Sequence, residues 1–241
     1  MTGSGPLALV GGDELNPGNE EQDRILAEAA GGGPAYVLAT AAARQRPDLA
    51  VANGKRWFAG LGLEVEELPA TARAHVADPE LVQRAEAARF FYLVGGDPGL
   101  VPKILGGTQL WAAIVSAWRR GAALAGSSAG AMAFGEWTLT RDRVPGDTLR
   151  RYTPALGLLP RLAVLPHFDT FGHRWSDAAL EDAPRADAVL LGIDERTAAM
   201  FVEGKWWTRG PGSVTVITPR ERRAFASDSK IEGLPQPDGG D

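Results

Sequence analysis

The 241-residue chain contains no cysteine, only three histidines and no long run of basic residues. Without cysteine there is no disulfide, no thiolate nucleophile and no cysteine-ligated metal, which is in keeping with a cytoplasmic protein. A formal net charge of −5 argues against nucleic acid or an anionic membrane as the main partner. We therefore expect a small soluble molecule or a peptide as the ligand.

Long hydrophobic stretches are also missing. The N-terminal segment "MTGSGPLALVGG" lacks the basic start and apolar stretch of a signal peptide, and Arg119 and Arg120 interrupt the most apolar region, near residues 110–133. We therefore expect a soluble protein that is neither exported nor embedded in a membrane. The length suits one large α/β domain.

Short apolar runs alternate with longer segments of helical periodicity, the pattern of βαβ units around a mainly parallel sheet. The predicted strands are 7–12, 35–40, 63–68, 90–96, 122–127, 162–168 and 188–194, and the predicted helices are 19–30, 48–62, 79–88 and 108–121. After residue 195, an "EGK" turn and a Gly/Pro turn predict antiparallel strands at the sheet edge. Residues 1–219 then form a single domain, and the polar residues 220–241 a mobile tail.

The stretch "AGSSAGAM", residues 125–132, concentrates small side chains where a predicted strand ends and a helix begins. It contains G-x-S-x-G, which makes Ser128 a candidate nucleophile on a tight turn. The N–H of Ala129, at the start of that helix, is a candidate oxyanion donor. The alternative is a close crossing of two elements, which requires small residues for packing alone.

A serine nucleophile needs a base, and the three histidines are the candidates. His167 closes the strand "LAVLPHF", at the end where the sites of open α/β sheets lie, and is the best of the three. For His75 we expect a surface or capping position, and for His173 a structural role or one at the edge of the substrate.

The histidine in turn needs an acid that fixes its tautomer. Asp194 and Glu195 follow a predicted strand and reach the same edge of the sheet; the alternative is that both are exposed loop acids. Further candidates for this acid after His167 include Asp169 and Asp177. An esterase or amidase of the α/β-hydrolase type would instead carry its acid between the serine and the histidine, at Glu136, Asp142 or Asp147.

A second glycine-rich turn, "VGGDPGL", follows the strand "FFYLVGG". Gly95 and Gly96 would let backbone N–H groups approach a ligand, which suits a second oxyanion donor. Asp97 places a carboxylate where a substrate ammonium could bind; the alternative is that it caps a tight turn. Neither Gly-rich turn is a phosphate-binding motif, so no nucleotide site follows.

Residues in the segment after His167 and in the segment after the serine turn 126–130 are candidates for contact with the substrate. Arg174 could hold a substrate carboxylate. Trp137 and Trp175 could form a wall of the substrate pocket.

In chain order, "VGGD" (94–97), the serine turn "GSSAG" (126–130), "PHF" (166–168) and "GIDE" (192–195) resemble the motifs of peptidase family S51, which includes aspartyl dipeptidase (peptidase E) and cyanophycinase; the resemblance spans roughly residues 7–218. The resemblance implies a three-layer fold like that of class I glutamine amidotransferases, with helices on both sides of a mainly parallel sheet. It also implies that Ser128 is the nucleophile, His167 its base and Glu195 the acid.

By the same resemblance, Gly96 and Ala129 are the oxyanion donors and Asp97 contacts the amino end of the substrate. Two motifs depart from the family. Leu165 and Pro166 stand where cyanophycinases typically carry Asp-Gln, and the "GETR" stretch of peptidase E is missing. The resemblance therefore implies neither cyanophycin nor an N-terminal aspartate as the specific substrate.

We expect a serine exopeptidase that acts on dipeptides or short peptides without a metal or organic cofactor. A homodimer is a possible assembly. Two alternatives remain: a binding protein that keeps the fold without turnover, and a cyanophycinase-like isopeptide hydrolase.

Overall fold

The computed structural model describes residues 3–141 and 150–237, except for the side chain of Arg141. The strands are β1 (Leu7–Val10), β2 (Ala35–Leu38), β3 (Glu66–Glu67), β4 (Phe90–Leu93), β5 (Ala123–Ser127), β6 (Trp137–Arg141), β7 (Arg150–Pro154), β8 (Leu162–Leu165), β9 (Val189–Ile193), β10 (Ala198–Val202), β11 (Lys205–Arg209), β12 (Ser213–Ile217), β13 (Arg222–Ala226) and β14 (Lys230–Ile231). The α-helices are α1 (Glu20–Ala30), α2 (Pro47–Gly60), α3 (Pro79–Ala87), α4 (Leu100–Leu105), α5 (Gln109–Arg119), α6 (Ala129–Met132) and α7 (Ser176–Glu181), with 3₁₀ turns at His75–Ala77 and Gly172–Trp175.

The main sheet has the strand order β14-β11-β10-β1-β5-β4-β2-β3. The five neighbouring strands β1, β5, β4, β2 and β3 run parallel. Strands β10, β11 and β14 extend the sheet on the β1 side with antiparallel pairings. Strands β1, β2, β4 and β5 are buried throughout, as expected for parallel strands covered on both faces. The predicted mainly parallel sheet with antiparallel edge strands is confirmed.

Helices cover both faces of this sheet. Along β4, Phe91 and Leu93 belong to the core on the α3 and α5 side, whereas Phe90 and Tyr92 pack on the side of α1 and α2. This alternation is the two-residue period of a strand, and it produces two separate hydrophobic layers. The predicted three-layer architecture is therefore present.

A second sheet, in the order β13-β12-β9-β8, lies beside the first, and β6 and β7 form a separate two-stranded sheet. Strands β8 and β9 are parallel and were predicted, but β12 pairs with β9 and not with the main sheet. The sequence analysis did not predict β6 and β7, because "WTLTR" and "RRYTP" mix polar and apolar residues without an apolar run.

The prediction of a mobile tail from residue 220 is wrong for most of that segment. Strand β13 pairs with β12, and β14 pairs with β11. Phe225 and Ile231, two apolar residues in this polar stretch, are buried, and the indole Nε1 of Trp206 donates to the carbonyl of Pro235 at 3.0 Å. Burial of these few apolar side chains orders a polar, Gly/Pro-rich segment. Residues 238–241 lie outside the described residues.

None of the helices in the described ranges is both long and apolar enough to cross a bilayer.

Candidate active site

Ser128 lies on the turn between β5 and α6, with φ 48° and ψ −113°. A positive φ is uncommon for a residue other than glycine and costs on the order of 1–3 kcal/mol. The small neighbours are needed for this turn: a Cβ on Gly126 would lie 2.6 Å from the carbonyl carbon of Gly130, and one on Gly130 would lie 2.3 Å from the oxygen of Leu93. The turn therefore has the strand-turn-helix form of a nucleophile elbow.

His167 lies beside this serine, with 3.1 Å between Ser128 Oγ and His167 Nε2. It follows β8 and has φ 50°. Phe171 stacks on one face of the imidazole, with ring centroids 4.9 Å apart. A Cβ on Gly12 would lie 2.2 Å from His167 Cε1, so that only glycine leaves room for the ring at this point.

Glu195 completes the chain of contacts, with 2.7 Å between its Oε1 and His167 Nδ1. Because a carboxylate accepts, Nδ1 carries the proton toward Glu195 and Nε2 accepts from the serine hydroxyl. Asp194 points elsewhere: its Oδ2 accepts from the N–H of Ser213 at 2.8 Å, and burial raises the pKa of its carboxyl. Of the two acids that the sequence left open, Glu195 is therefore the one in contact with the histidine.

The three loops that carry these side chains bond to one short segment, the end of β1 and the turn after it. Three consecutive carbonyls accept backbone N–H groups from Ser128, His167 and the residue after Glu195. The acceptor carbonyls belong to Val10, Gly11 and Gly12, which bond Ser128 at 2.9 Å, His167 at 2.7 Å and Arg196 at 2.9 Å in that order. The relative positions of the three side chains thus depend on main-chain hydrogen bonds to residues 10–12.

The predicted oxyanion donors lie on two neighbouring loops. Ala129 is the first residue of α6, directly after the serine. Gly96 has φ 148°, and a Cβ there would lie 2.3 Å from the carbonyl oxygen of Ala41, so this position requires glycine. The N–H of Gly95 donates to Glu14 Oε1 at 2.8 Å, and the Asp97 Oδ1 accepts from the N–H of Gly99 at 2.9 Å.

A cleft of about 1280 Å³ opens beside the loops that carry Gly96 and His167. Asp97 and Phe171 line it and connect it to Gly96 and to His167. Its charged lining residues are Asp97, Arg44, Lys103, Arg150 and Arg174. Trp175 also lines the cleft, with the Arg150 guanidinium 3.4 Å above its ring, whereas Trp137 packs edge-on against Tyr152.

The other two histidines do not contact the serine. His173 Nδ1 donates to the carbonyl of Phe168 at 2.9 Å, which fixes the loop after His167. His75 is exposed and lies 3.2 Å from the hydroxyl of Thr71.

The remaining candidate acids have other partners. Glu136 Oε2 accepts from the N–H of Arg161 at 2.6 Å, and Asp177 pairs with Arg222 at 2.8 Å. Asp169 Oδ1 accepts from the N–H of Glu195 at 3.0 Å and so orients the loop of that acid. Asp142 and Asp147 lie outside the described residues. Within the described ranges, no group of three or more potential ligands could hold a metal ion.

Sequence reasoning missed Glu14. Its two carboxylate oxygens accept from the N–H of Gly95 at 2.8 Å and from the hydroxyl of Ser127 at 2.9 Å. The available signal was an acidic residue directly after the first Gly-rich turn, "VGGDE", at the carboxyl end of a central strand.

Comparisons with known proteins bear on the family and the fold of this chain. A search of curated proteins finds no match. A solved structure of a peptidase from an acI-B1 Actinobacterium is 29% identical, with a TM-score of 0.82, over 95% of this chain and 96% of that chain. A second, described as a peptidase E protein from Listeria monocytogenes EGD-e, is 18% identical, with a TM-score of 0.59, over 92% of this chain and 98% of that chain, and shares the fold. The model of peptidase family S51 matches residues 7–208, and the chain belongs to that family.

Proposed function

We propose that this protein is a serine exopeptidase that hydrolyses dipeptides or short peptides through Ser128, His167 and Glu195. The observation that carries the proposal is the pair of contacts of 3.1 Å and 2.7 Å that joins the serine to the histidine and the histidine to the acid. Membership of a peptidase family supports the peptide bond as the bond that is cleaved.

In the first half of the reaction, Ser128 Oγ attacks the carbonyl carbon of the scissile peptide bond and its proton passes to His167 Nε2. The carbonyl electrons move to the oxygen, and the N–H groups of Gly96 and Ala129 bind this oxyanion. The Glu195 carboxylate stabilises the imidazolium through Nδ1. The C–N bond then breaks, Nε2 gives its proton to the leaving amine, and an acyl-enzyme ester remains on Ser128.

In the second half, a water molecule attacks the ester carbonyl and gives a proton to His167 Nε2. The same two N–H groups bind the second oxyanion. The intermediate collapses, Ser128 recovers its proton from the histidine, and the carboxylate product leaves. The reaction consumes one water and regenerates the enzyme.

The charges of the cleft support short peptides with free ends as substrates. Asp97 supplies one carboxylate toward the ammonium group of the substrate, and cationic side chains such as Arg174 line the same space. A dipeptide carries both charges within a few ångströms, so a lining of both signs matches it. His173 lies between the lining residues Phe171 and Arg174, and its bond to the Phe168 carbonyl supports this part of the cleft.

The test is the intact mass of the protein after incubation with a small fluorophosphonate, which forms a stable ester with an activated serine. We expect one adduct on the wild type and none on Ser128→Ala or His167→Ala. Peptide mapping then assigns the adduct to Ser128. An unmodified wild type that is folded by circular dichroism would overturn the proposal and favour a binding protein on the same fold.

A further inference from the structure

The Glu14 carboxylate connects two loops of the active site. Oε1 accepts from the N–H of Gly95 at 2.8 Å, and Oε2 accepts from the hydroxyl of Ser127 at 2.9 Å. Each partner directly precedes a residue that the proposed reaction uses, because Gly95 precedes Gly96 and Ser127 precedes Ser128. The carboxylate thus acts one residue away from the nucleophile and from an oxyanion donor.

The loop of Gly95 and Gly96 needs such an anchor. Two consecutive glycines have a wide choice of backbone conformations, and each fixed conformation has an entropic cost. The bond to Glu14 fixes the N–H of Gly95, and on the other side of Gly96 the N–H of Asp97 donates to the carbonyl of Ala41 at 2.8 Å. Gly96, with φ 148°, is therefore held between two anchored residues.

Packing brings the same carboxylate close to the nucleophile. A Cβ on Gly95 would lie 3.0 Å from Glu14 Oε1 and 3.3 Å from Ser128 Cβ, so that little space separates the loop, the carboxylate and the elbow. The Ser127 side chain is fully buried, and its hydroxyl finds an acceptor in Glu14. A buried hydroxyl without a partner would be costly, so by accepting from Ser127 the Glu14 carboxylate also stabilises the strained turn at Ser128.

We infer that Glu14 is a positioning residue: it holds the oxyanion loop and the serine elbow in register through both carboxylate oxygens. This inference rests on the proposed function, since only acyl transfer at Ser128 uses the geometry that Glu14 sets. Glu14 acts through its two neighbours and takes no proton from the substrate.

The test compares Glu14→Ala, Glu14→Asp and Glu14→Gln with the wild type. Glu20→Gln is the matched control, because Glu20 accepts from the N–H of Gly18 near the same turn and does not contact either loop. Three properties are measured for each protein: the rate constant of fluorophosphonate labelling at Ser128, kcat and KM for a cleaved dipeptide, and the melting temperature.

For Glu14→Ala we expect labelling and kcat to fall by about 100-fold, the usual effect of a misplaced oxyanion donor, with KM changed by less than about threefold. Glu14→Asp is shorter by one methylene group, cannot span both partners and falls similarly. Glu14→Gln stays within about fivefold of the wild type, because Oε1 accepts from the N–H of Gly95 and Nε2 donates to Ser127 Oγ.

The outcomes separate the two proposals. A wild type without labelling at Ser128 overturns the proposed function and this inference with it. A labelled wild type and a folded Glu14→Ala or Glu14→Asp of equal rate overturn this inference alone. If Glu14→Gln is as slow as Glu14→Ala, the two hydrogen bonds are not sufficient and the negative charge is needed, which also overturns this inference. If Glu14→Ala does not fold, Glu14→Asp carries the same test.

Discussion

Glu195→Gln tests the assignment of the acid most directly. The substitution keeps the size of the side chain and removes the negative charge that lies 2.7 Å from His167 Nδ1. When the serine gives up its proton, the histidine becomes an imidazolium, and only a carboxylate at this position stabilises that charge electrostatically. The glutamine amide can also donate to the ring nitrogen and favour the wrong tautomer.

The structure gives the size of the effect. Two unit charges centred about 4 Å apart attract by about 4 kcal/mol at an effective dielectric constant of about 20. The side chains of His167 and Glu195 are 21% and 27% exposed, so water screens part of this attraction and we take about 2 kcal/mol as the lower bound. The range of about 2–4 kcal/mol corresponds to a decrease of about 30- to 900-fold in kcat.

The assay is the labelling rate at Ser128 together with kcat for a cleaved dipeptide. Asp194→Asn is the matched control, because the neighbouring Asp194 contacts the N–H of Ser213 and an asparagine oxygen still accepts from it. We expect Asp194→Asn to react like the wild type. A Glu195→Gln enzyme of wild-type rate, or an Asp194→Asn enzyme with the large loss, would refute the reasoning.

Two further predictions concern buried and cleft-lining carboxyls. Burial, with Glu14 and Glu20 nearby, raises the pKa of Asp23 to about 7, although the Trp57 indole donates to this carboxyl. The contribution of the protonated Asp23 to the free energy of unfolding is therefore full below about pH 4 and is lost as the pH rises through 7. We expect urea denaturation to show a loss of about 4 kcal/mol over this interval in the wild type and a much smaller one in Asp23→Asn, which keeps an acceptor for Trp57; equal pH profiles would contradict the burial argument. If Asp97 holds the substrate ammonium, N-acetylation of a cleaved dipeptide lowers kcat/KM by at least about tenfold, measured by chromatography of the products, and an unchanged rate would exclude that contact.

The parts of the fold that the sequence predicted are those with a local signal. Buried parallel strands such as Phe90–Leu93 are continuous apolar runs, and the elbow has glycines that sterics require. The second sheet was not separable from the first, because strand pairing is set by long-range packing and not by the apolar runs themselves. The order at Phe225 and Ile231 depends on a few apolar side chains that composition averages away.

The same distinction applies to the site. Ser128 and His167 stand at the ends of predicted strands, where position alone indicates function. The choice between Asp194 and Glu195 depends on which side chain turns toward the ring, and adjacent residues in a loop carry no periodicity that decides this. Glu14 contacts residues 81 and 113 positions away, so no sequence spacing indicates its partners.

The hydrogen bonds that the three loops of the site donate to the carbonyls of residues 10–12 use main-chain atoms on both sides. Side chains at the donating positions 128, 167 and 196 are therefore free to differ as far as this attachment is concerned. The one residue type that the attachment excludes there is proline, which has no N–H to donate. A designer could exchange the loops one at a time, with new nucleophiles or bases, and keep their common attachment to the first strand. The site is in this sense modular: its chemistry is carried by exchangeable segments, and their common attachment is the backbone of residues 10–12.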